Sequence, residues 1–550
     1  MTDNTLPALL SLQCENNPDM TWLRERAGGG FSELSWREGR DELNAVAAWL
    51  EQRYGHVKTN MAILSRNRAH WVLADLAIIA SGNVSVPLFT TAAASTAEYI
   101  LDFADTRVLV LGEAENWQAV AGVLPDTTEI ITLPGVDTDL PHTRWEDIVA
   151  AGSGQAPAHQ AVPGELISIV FTSGTTGVPK GVMQSHESMI IPMLRGLRFF
   201  SIRKNPRFFS YLPMAHIAER QLVMTQSLIH GGAVTFNESL PNLVRDMAEA
   251  KPNFFFGAPR VWEQLQQGLI AKFGSQQALD SALAADAETV GKQVRAGLGL
   301  DEADFMLTAA APTPPALIHW YEKLGLTLME GWGQTEMMAG ALSTPTLRKV
   351  GSIGIVPDDV KLKFSEEGEL LFKAAGTALG YYRMPEKTAE TFGDGWVRTG
   401  DKGYIDEDGF VYLTGRVKDY FKTIQGKFVA PVPLENAFAK NRWAEQVCLL
   451  GRGYSKTVMA CVLSEIAQKQ DRETVEHDLL RQVADVNETV EKHARIGAVM
   501  ISKEPWTIEN EILTPTLKIR REEIEKRFGE RARELALEAA VEGGVRLEWV

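Results

Sequence analysis

Cysteine is almost missing from this chain: Cys14, Cys448 and Cys461 are all that 550 residues contain. An odd count without metal-ligand spacing supports neither a disulfide framework nor a zinc site, and it points to a reducing compartment, the cytosol. A long unbroken apolar run is missing too. The most apolar stretch, roughly residues 71–89, is interrupted by Asp75, Asn83 and Pro87, which a membrane-spanning helix of ~20 apolar residues rarely carries. No transmembrane segment is expected. Met1-Thr2-Asp3-Asn4 offers no basic leader and no cleavage-site pattern follows residues 6–12, so no signal peptide is read. Positive charge is in deficit. A formal net charge of -16 repels a polyphosphate backbone over the surface as a whole, which argues against nucleic acid as the main partner. Short-period repeats, low-complexity tracts and Pro-rich linkers are lacking, so the parts of the chain should meet at a short hinge.

Apolar residues make up 45% of the sequence, ample for more than one core at this length. Short β-rich runs at 61–64, 108–111, 167–171, 233–236 and 254–257 alternate with amphipathic stretches such as 42–54, the α/β signature. From 351 to 413 the texture shifts to short strands with turn signals such as Glu367-Gly368-Glu369 and Glu407-Asp408-Gly409, a β-rich appendage. After Arg416 a mixed segment begins and ends in the charged, helix-favouring residues 522–540. The expected organisation is a large N-terminal α/β domain, 1–416, and a small α+β domain, 417–550.

The densest chemical signal is Phe171-Thr172-Ser173-Gly174-Thr175-Thr176-Gly177-Val178-Pro179-Lys180-Gly181, directly after a strand candidate. Glycines let backbone approach phosphate, amides and hydroxyls donate, and Lys180 supplies a compact charge for terminal phosphates. A Walker A loop would open a helix at Lys-Ser/Thr, whereas Pro179-Lys180-Gly181 leads toward another extended segment. The plain alternative is a Gly/Thr-rich surface turn.

These residues resemble the signature loop of the adenylate-forming superfamily of acyl-CoA synthetases, luciferases and peptide-synthetase adenylation domains, and the likeness continues along nearly the whole chain. Thr308-Ala309-Ala310-Ala311-Pro312 resembles the adenine-contacting turn, with alanines where glycines are common. Glu330-Gly331-Trp332-Gly333-Gln334-Thr335-Glu336 is similar to the segment in which an aromatic borders the adenine, Thr335 touches the α-phosphate and Glu336 holds Mg2+. Trp396-Val397-Arg398-Thr399-Gly400-Asp401 resembles the ribose clamp, and Gly415-Arg416-Val417-Lys418-Asp419 the segment that closes the large domain, with Arg416 facing the nucleotide and Lys418 at the pivot. Leu513-Thr514-Pro515-Thr516-Leu517-Lys518 looks like the stretch carrying the adenylation lysine. A cation there offsets repulsion between the acid's carboxylate and the α-phosphate; the competing reading is a solvated charged helical face. No general base is required, because a carboxylate of pKa about 4 to 5 is already ionised at neutral pH. The resemblance implies a site between the two domains and two lid poses, with the Gly426 loop forming the CoA entrance in the second.

For the acid, Tyr211-Leu212-Pro213-Met214-Ala215-His216-Ile217-Ala218-Glu219-Arg220 is most similar to the long-chain acyl-CoA synthetase branch, including its bubblegum-type members. That places His216 and Trp332 beside the acyl group and implies fatty acid, ATP and coenzyme A as substrates. The aromatics of 254–262 fit an apolar tunnel or, more commonly, core. A peptide-synthetase module should continue into a carrier domain, and a fatty acyl-AMP ligase, which passes its adenylate to a carrier protein, usually carries an insertion before the ribose clamp. Neither pattern is seen, so coenzyme A is preferred, with an acyl-AMP ligase or a stand-alone adenylation module for another carboxylic acid as the alternatives. A silent nucleotide-binding protein would have lost catalytic positions, yet Lys180, Thr335, Glu336, Asp401, Arg416 and Lys518 are all present. The implied location is cytoplasmic, with peripheral membrane contact left open.

Overall fold

The apolar runs form two eight-stranded sheets in the computed structural model, which describes residues 4–172, 178–197, 199, 202–508, 510–514 and 518–550. The first unit runs to Thr313 and takes in Leu317–Leu362 and Phe372–Arg398. One of its sheets has the strand order Met337–Leu342, Leu328–Gln334, Phe305–Thr308, Phe254–Gly257, Arg207–Ser210, Ala233–Phe236, Thr21–Ala27, Gly30–Ser35. The other runs Gly380–Tyr381, Lys180–Ser185, Leu166–Thr172, Val84–Leu88, Asn60–Leu64, Thr106–Leu111, Glu129–Thr132, His142–Arg144. Their middle strands pair in parallel, so both faces are covered and the runs are apolar throughout. The helix Trp36–Tyr54 begins six residues before the amphipathic stretch 42–54, because Ser35 and Glu38 form a reciprocal capping box.

Residues 71–89 prove to be the buried helix Ala69–Ala80 followed by the strand Val84–Leu88. Among the described residues no helix is long and apolar enough to cross a membrane. Asn83, one of the residues that broke the run, accepts the Thr59 amide at 3.0 Å and donates to Ser81 Oγ at 2.9 Å. The aromatics of Phe254–Gly257 are core: Phe254 and Phe256 pack into one cluster and Phe255 into another, as strand alternation requires.

The second unit holds Pro314–Ala316, Lys363–Leu371 and the chain from Thr399 on. Its mixed sheet has the order Ala444–Leu450, Thr457–Leu463, Ile496–Ser502, Arg546–Trp549. Leu449, Met459, Cys461, Val499 and Ile501 pack on one face with the helix Arg472–Glu488; Cys448, Val458, Ala460, Ala498 and Met500 pack on the other with the helix Arg521–Glu542. Within 351–413 the strands Lys361–Phe364, Glu369–Lys373 and Val397–Ile405 join Val411–Arg416 in a four-stranded sheet.

In the first unit, two fully buried charges meet. Arg220 Nη2 donates to both oxygens of Asp75 at 2.8 Å, and Nη1 donates to Ser168 Oγ at 2.7 Å. Ser85 Oγ donates to Asp75 at 2.5 Å, while Ser168 Oγ donates to the Ser85 carbonyl at 2.8 Å. Nη1 and Nη2 are thus partnered and both oxygens of Asp75 are engaged, while Arg220 Nε is left without a hydrogen-bond partner among the described residues; such partners are what makes a buried charge tolerable. Asp75→Ala should therefore lower unfolding free energy by ~3–5 kcal/mol, because it strands a buried guanidinium. The double change Asp75→Leu with Arg220→Met should cost less than either single one, and urea unfolding of the three variants reads the difference.

Candidate active site

Strand Leu166–Thr172 pairs antiparallel with Lys180–Ser185, and Thr172 lies opposite Lys180. Lys180 thus starts a strand, as a loop leading into extended chain rather than a helix requires. Ser173, Gly174, Thr175, Thr176 and Gly177 lie outside the described residues. At Gly181 a Cβ would come within 2.6 Å of Ile169 Cγ2, so only glycine permits this close pairing beside Lys180.

Thr335 and Glu336 are the two-residue turn of a hairpin made by Leu328–Gln334 and Met337–Leu342, with Gln334 opposite Met337. A tight turn presents two side chains from a rigid tip. Two residues that the motifs did not single out hold that tip. Gln184, buried on the strand after Lys180, donates from Nε2 to the Thr335 carbonyl at 2.8 Å and accepts from Ser188 Oγ at 2.7 Å. Tyr381 donates its hydroxyl to Glu336 Oε1 at 2.6 Å, and the Ala378 amide donates to the Glu336 carbonyl at 3.0 Å. Burial and the charge of Glu336 push the Tyr381 hydroxyl up, which keeps it a donor. The Lys180 ammonium lies 5.2 Å from the centroid of the same ring. One tyrosine therefore adjoins both the ammonium of Lys180 and the carboxylate of Glu336. Strand register could have found it, since Tyr381 pairs with Val182, two residues after Lys180.

Trp332 is buried, stacks on Phe372 at 4.7 Å and lies over Gly340, where a Cβ would sit 2.6 Å from the indole. Gly331 and Gly333 flank it, and a Cβ at Gly333 would meet Met338 Sδ at 2.8 Å. Ala310 adopts φ +73°, the left-handed region that favours the glycines usual at such a turn, and Ala311 is exposed. His216 Nδ1 accepts the Ala218 amide at 3.2 Å, so the neutral ring carries its proton on Nε2. Glu219 is buried and accepts the Tyr211 amide at 3.1 Å. Glu330 accepts the Gly351 amide at 2.9 Å and so ties two loops together.

In the second unit Asp401 and Arg416 are cross-strand partners, and Arg416 Nε meets Asp401 Oδ1 at 2.9 Å. Lys418 is exposed in the turn that follows, and Arg452 donates to its carbonyl at 3.3 Å. Gly426, at φ +74°, turns the chain between Phe421–Lys422 and Phe428–Val429. Lys518 is exposed; its amide donates to Thr514 Oγ1 at 3.0 Å and its carbonyl accepts the Thr514 amide at 2.8 Å. Pro515, Thr516 and Leu517 lie outside the described residues.

The profile of the AMP-binding enzyme family matches residues 10–382, and that of the AMP-binding enzyme C-terminal domain matches 418–535. The chain belongs to the AMP-binding enzyme family. Among its relatives, a long-chain-fatty-acid–CoA ligase of Mycobacterium bovis is 27% identical over 93% of this chain and 94% of its own length. The long-chain-fatty-acid–CoA ligase ACSBG2 of Xenopus laevis is 26% identical over 76% of this chain and 64% of its own. The adenylation and carrier didomain of a Segniliparus rugosus carboxylic acid reductase, solved with AMP, superposes with a TM-score of 0.81 at 23% identity, covering 98% of this chain and 82% of that one. An anthranilate CoA ligase solved with anthranoyl-AMP gives 0.78 at 21%, covering 97% and 98%. These solved relatives establish the fold of the AMP-binding enzyme.

Two carboxyls near its motifs are held protonated. Burial raises Glu219 from 4.5 to about 8 despite hydrogen bonds from Ser210 and the amides of Tyr211 and Leu212. Burial likewise raises Glu330 to about 8 against the pull of the Gly351 amide and Arg348. A raised folded value means that the folded state binds the proton more tightly. This stability is fully present below 4.5 and is lost as pH rises through about 8. Thermal unfolding midpoints should fall between pH 5 and 9, and Glu219→Gln or Glu330→Gln should flatten that slope.

Proposed function

We propose that this AMP-binding enzyme is an AMP-forming acid:CoA ligase: it activates a medium- or long-chain fatty acid to an acyl-adenylate, releases pyrophosphate, and passes the acyl group to coenzyme A. The observation that carries the reading is the match, over nearly all of both chains, to proteins named long-chain-fatty-acid–CoA ligases. Side-chain chemistry supports it. Lys180 and Glu336 flank one tyrosine ring, a cation suited to terminal phosphates beside a carboxylate suited to a metal ion.

The residues fit Mg2+ carried on a nucleotide. Glu336 Oε2 has no hydrogen-bond partner among the described residues, and these contain no group of three or more His, Cys, Asp or Glu able to hold a metal. One carboxylate with phosphate oxygens and waters is the usual Mg2+ arrangement. When bound, the ion neutralises triphosphate charge.

In this reading Thr172, the loop Ser173 to Gly177, Lys180 and Thr335 bind phosphates; Ala310, Ala311 and Trp332 border the adenine; Asp401, oriented by Arg416, accepts the ribose hydroxyls. His216 donates from Nε2 to the acid's carboxylate, and Lys518 bridges that carboxylate and the α-phosphate. The mobile domain begins after Arg416 and pivots at Lys418, which agrees with the second family match starting at 418. The Gly426 loop borders the path of the thiol. The enzyme works in the cytoplasm.

Pyrophosphate release across fatty, aromatic and amino acids, with and without coenzyme A, tests the function. The largest kcat/KM should fall on a fatty acid, with a thioester formed only when coenzyme A is present; preference for an amino acid, or no thioester, refutes it. Lys518→Ala should slow adenylate formation by roughly a hundred- to a thousand-fold, the loss of ~3–4 kcal/mol typical of one oriented charge. Thioester formation from supplied acyl-adenylate should stay near the wild-type rate. Single-turnover assays of each half-reaction separate the two.

A further inference from the structure

Tyr381 is firmly held by its own surroundings. It sits on the strand Gly380–Tyr381, paired with Lys180–Ser185, and its amide donates to Thr388 Oγ1 at 2.9 Å. Its ring is buried and meets the Phe392 ring edge-on at 5.7 Å. The approach is close enough that a Cβ at Gly380 would come within 2.5 Å of Thr388. Glu336, by contrast, is a long side chain at a hairpin tip, where χ rotation would otherwise spread its carboxylate over several positions.

We propose that Tyr381 is a positioning residue for the carboxylate of Glu336. Its hydroxyl takes Oε1 at 2.6 Å and leaves Oε2 to bind the nucleotide's divalent cation as a single, oriented oxygen. The ring face, with Lys180 Nζ 5.2 Å from its centroid, keeps the phosphate cation in register with that carboxylate. This inference rests on the reading of Glu336 as the metal-holding residue. Tyr381→Phe keeps the ring, its packing and the contact to Lys180 and removes only the fixing hydroxyl.

The test uses the full chain with ATP and Mn2+ and no carboxylic acid, counting free Mn2+ by electron paramagnetic resonance to obtain the enzyme-dependent metal affinity. Tyr381→Phe should weaken it about tenfold, the scale of one hydrogen bond to a charged group, with the unfolding midpoint of the nucleotide-free protein unchanged. Glu336→Gln should weaken it at least as much. Tyr382→Phe, which loses a hydroxyl bonded to Asn60 Nδ2 at 3.1 Å on the next residue, should match wild type. In turnover, Tyr381→Phe should raise the KM for the metal–ATP complex, with kcat regained at excess metal. Wild-type affinity in Tyr381→Phe alongside weak binding in Glu336→Gln overturns the positioning role and leaves Glu336 in place. Wild-type affinity in Glu336→Gln overturns both. Equal weakening in Tyr382→Phe shows that the effect travels through the strand's fold, and overturns the positioning role.

Discussion

The first unit depends on the buried pair between Arg220 and Asp75. Four segments converge on it: the helix Ala69–Ala80, the strands Val84–Leu88 and Leu166–Thr172, and the helical turn that follows His216. Two of those segments adjoin the motifs read in the sequence. Leu166–Thr172 leads to the Gly/Thr-rich loop proposed to bind phosphate, and Arg220 stands one residue beyond Glu219 in the segment that holds His216. An apolar pair could fill the same space and pack as well, but it would be indifferent to a sliding of one segment past another. A guanidinium nitrogen shared by both oxygens of Asp75, with two serine hydroxyls around it, fits in one register only, so the pair fixes the strand Leu166–Thr172 against the His216 segment.

The strand Lys180–Ser185 does comparable work on a smaller scale. It starts with Lys180, carries Gln184 under the Thr335 carbonyl, and pairs with the two-residue strand whose Tyr381 grips Glu336. Two motif elements about 155 positions apart, Lys180 and the Thr335-Glu336 tip, are thus referred to one six-residue strand. The hairpin tip is held through Gln184 to this strand, which is itself fixed by its pairing with Leu166–Thr172.

Much of this was legible in the residues. The runs at 61–64, 108–111, 167–171, 233–236 and 254–257 are strands because each is long enough to cross a covered sheet and too short for a buried helix. The interruption at Asp75 spoke against a membrane span, but its actual use was illegible: its partner Arg220 is 145 residues away, and neither neighbourhood predicts the other. Tyr381 and Gln184 were missed for the same reason, since their roles arise from pairings between strands and not from spacing along the chain. At Ala310, one of the alanines standing where glycines are common, φ +73° shows that the left-handed conformation is adopted with alanine all the same.

The strand Arg546–Trp549 lies at the edge of the second unit's sheet, in parallel pairing with Ile496–Ser502. Trp549 donates to Glu476 at 2.6 Å, and the Val550 carbonyl accepts the Lys503 amide at 2.9 Å. The chain between these two parallel strands is one crossover, and Lys518 rides on it. A crossover is only as well placed as the strands at its two ends. Residues 546–550 therefore act as the tether of a lysine some thirty positions upstream. Unpairing that strand would loosen the lysine's anchorage while every residue of its own segment stayed intact.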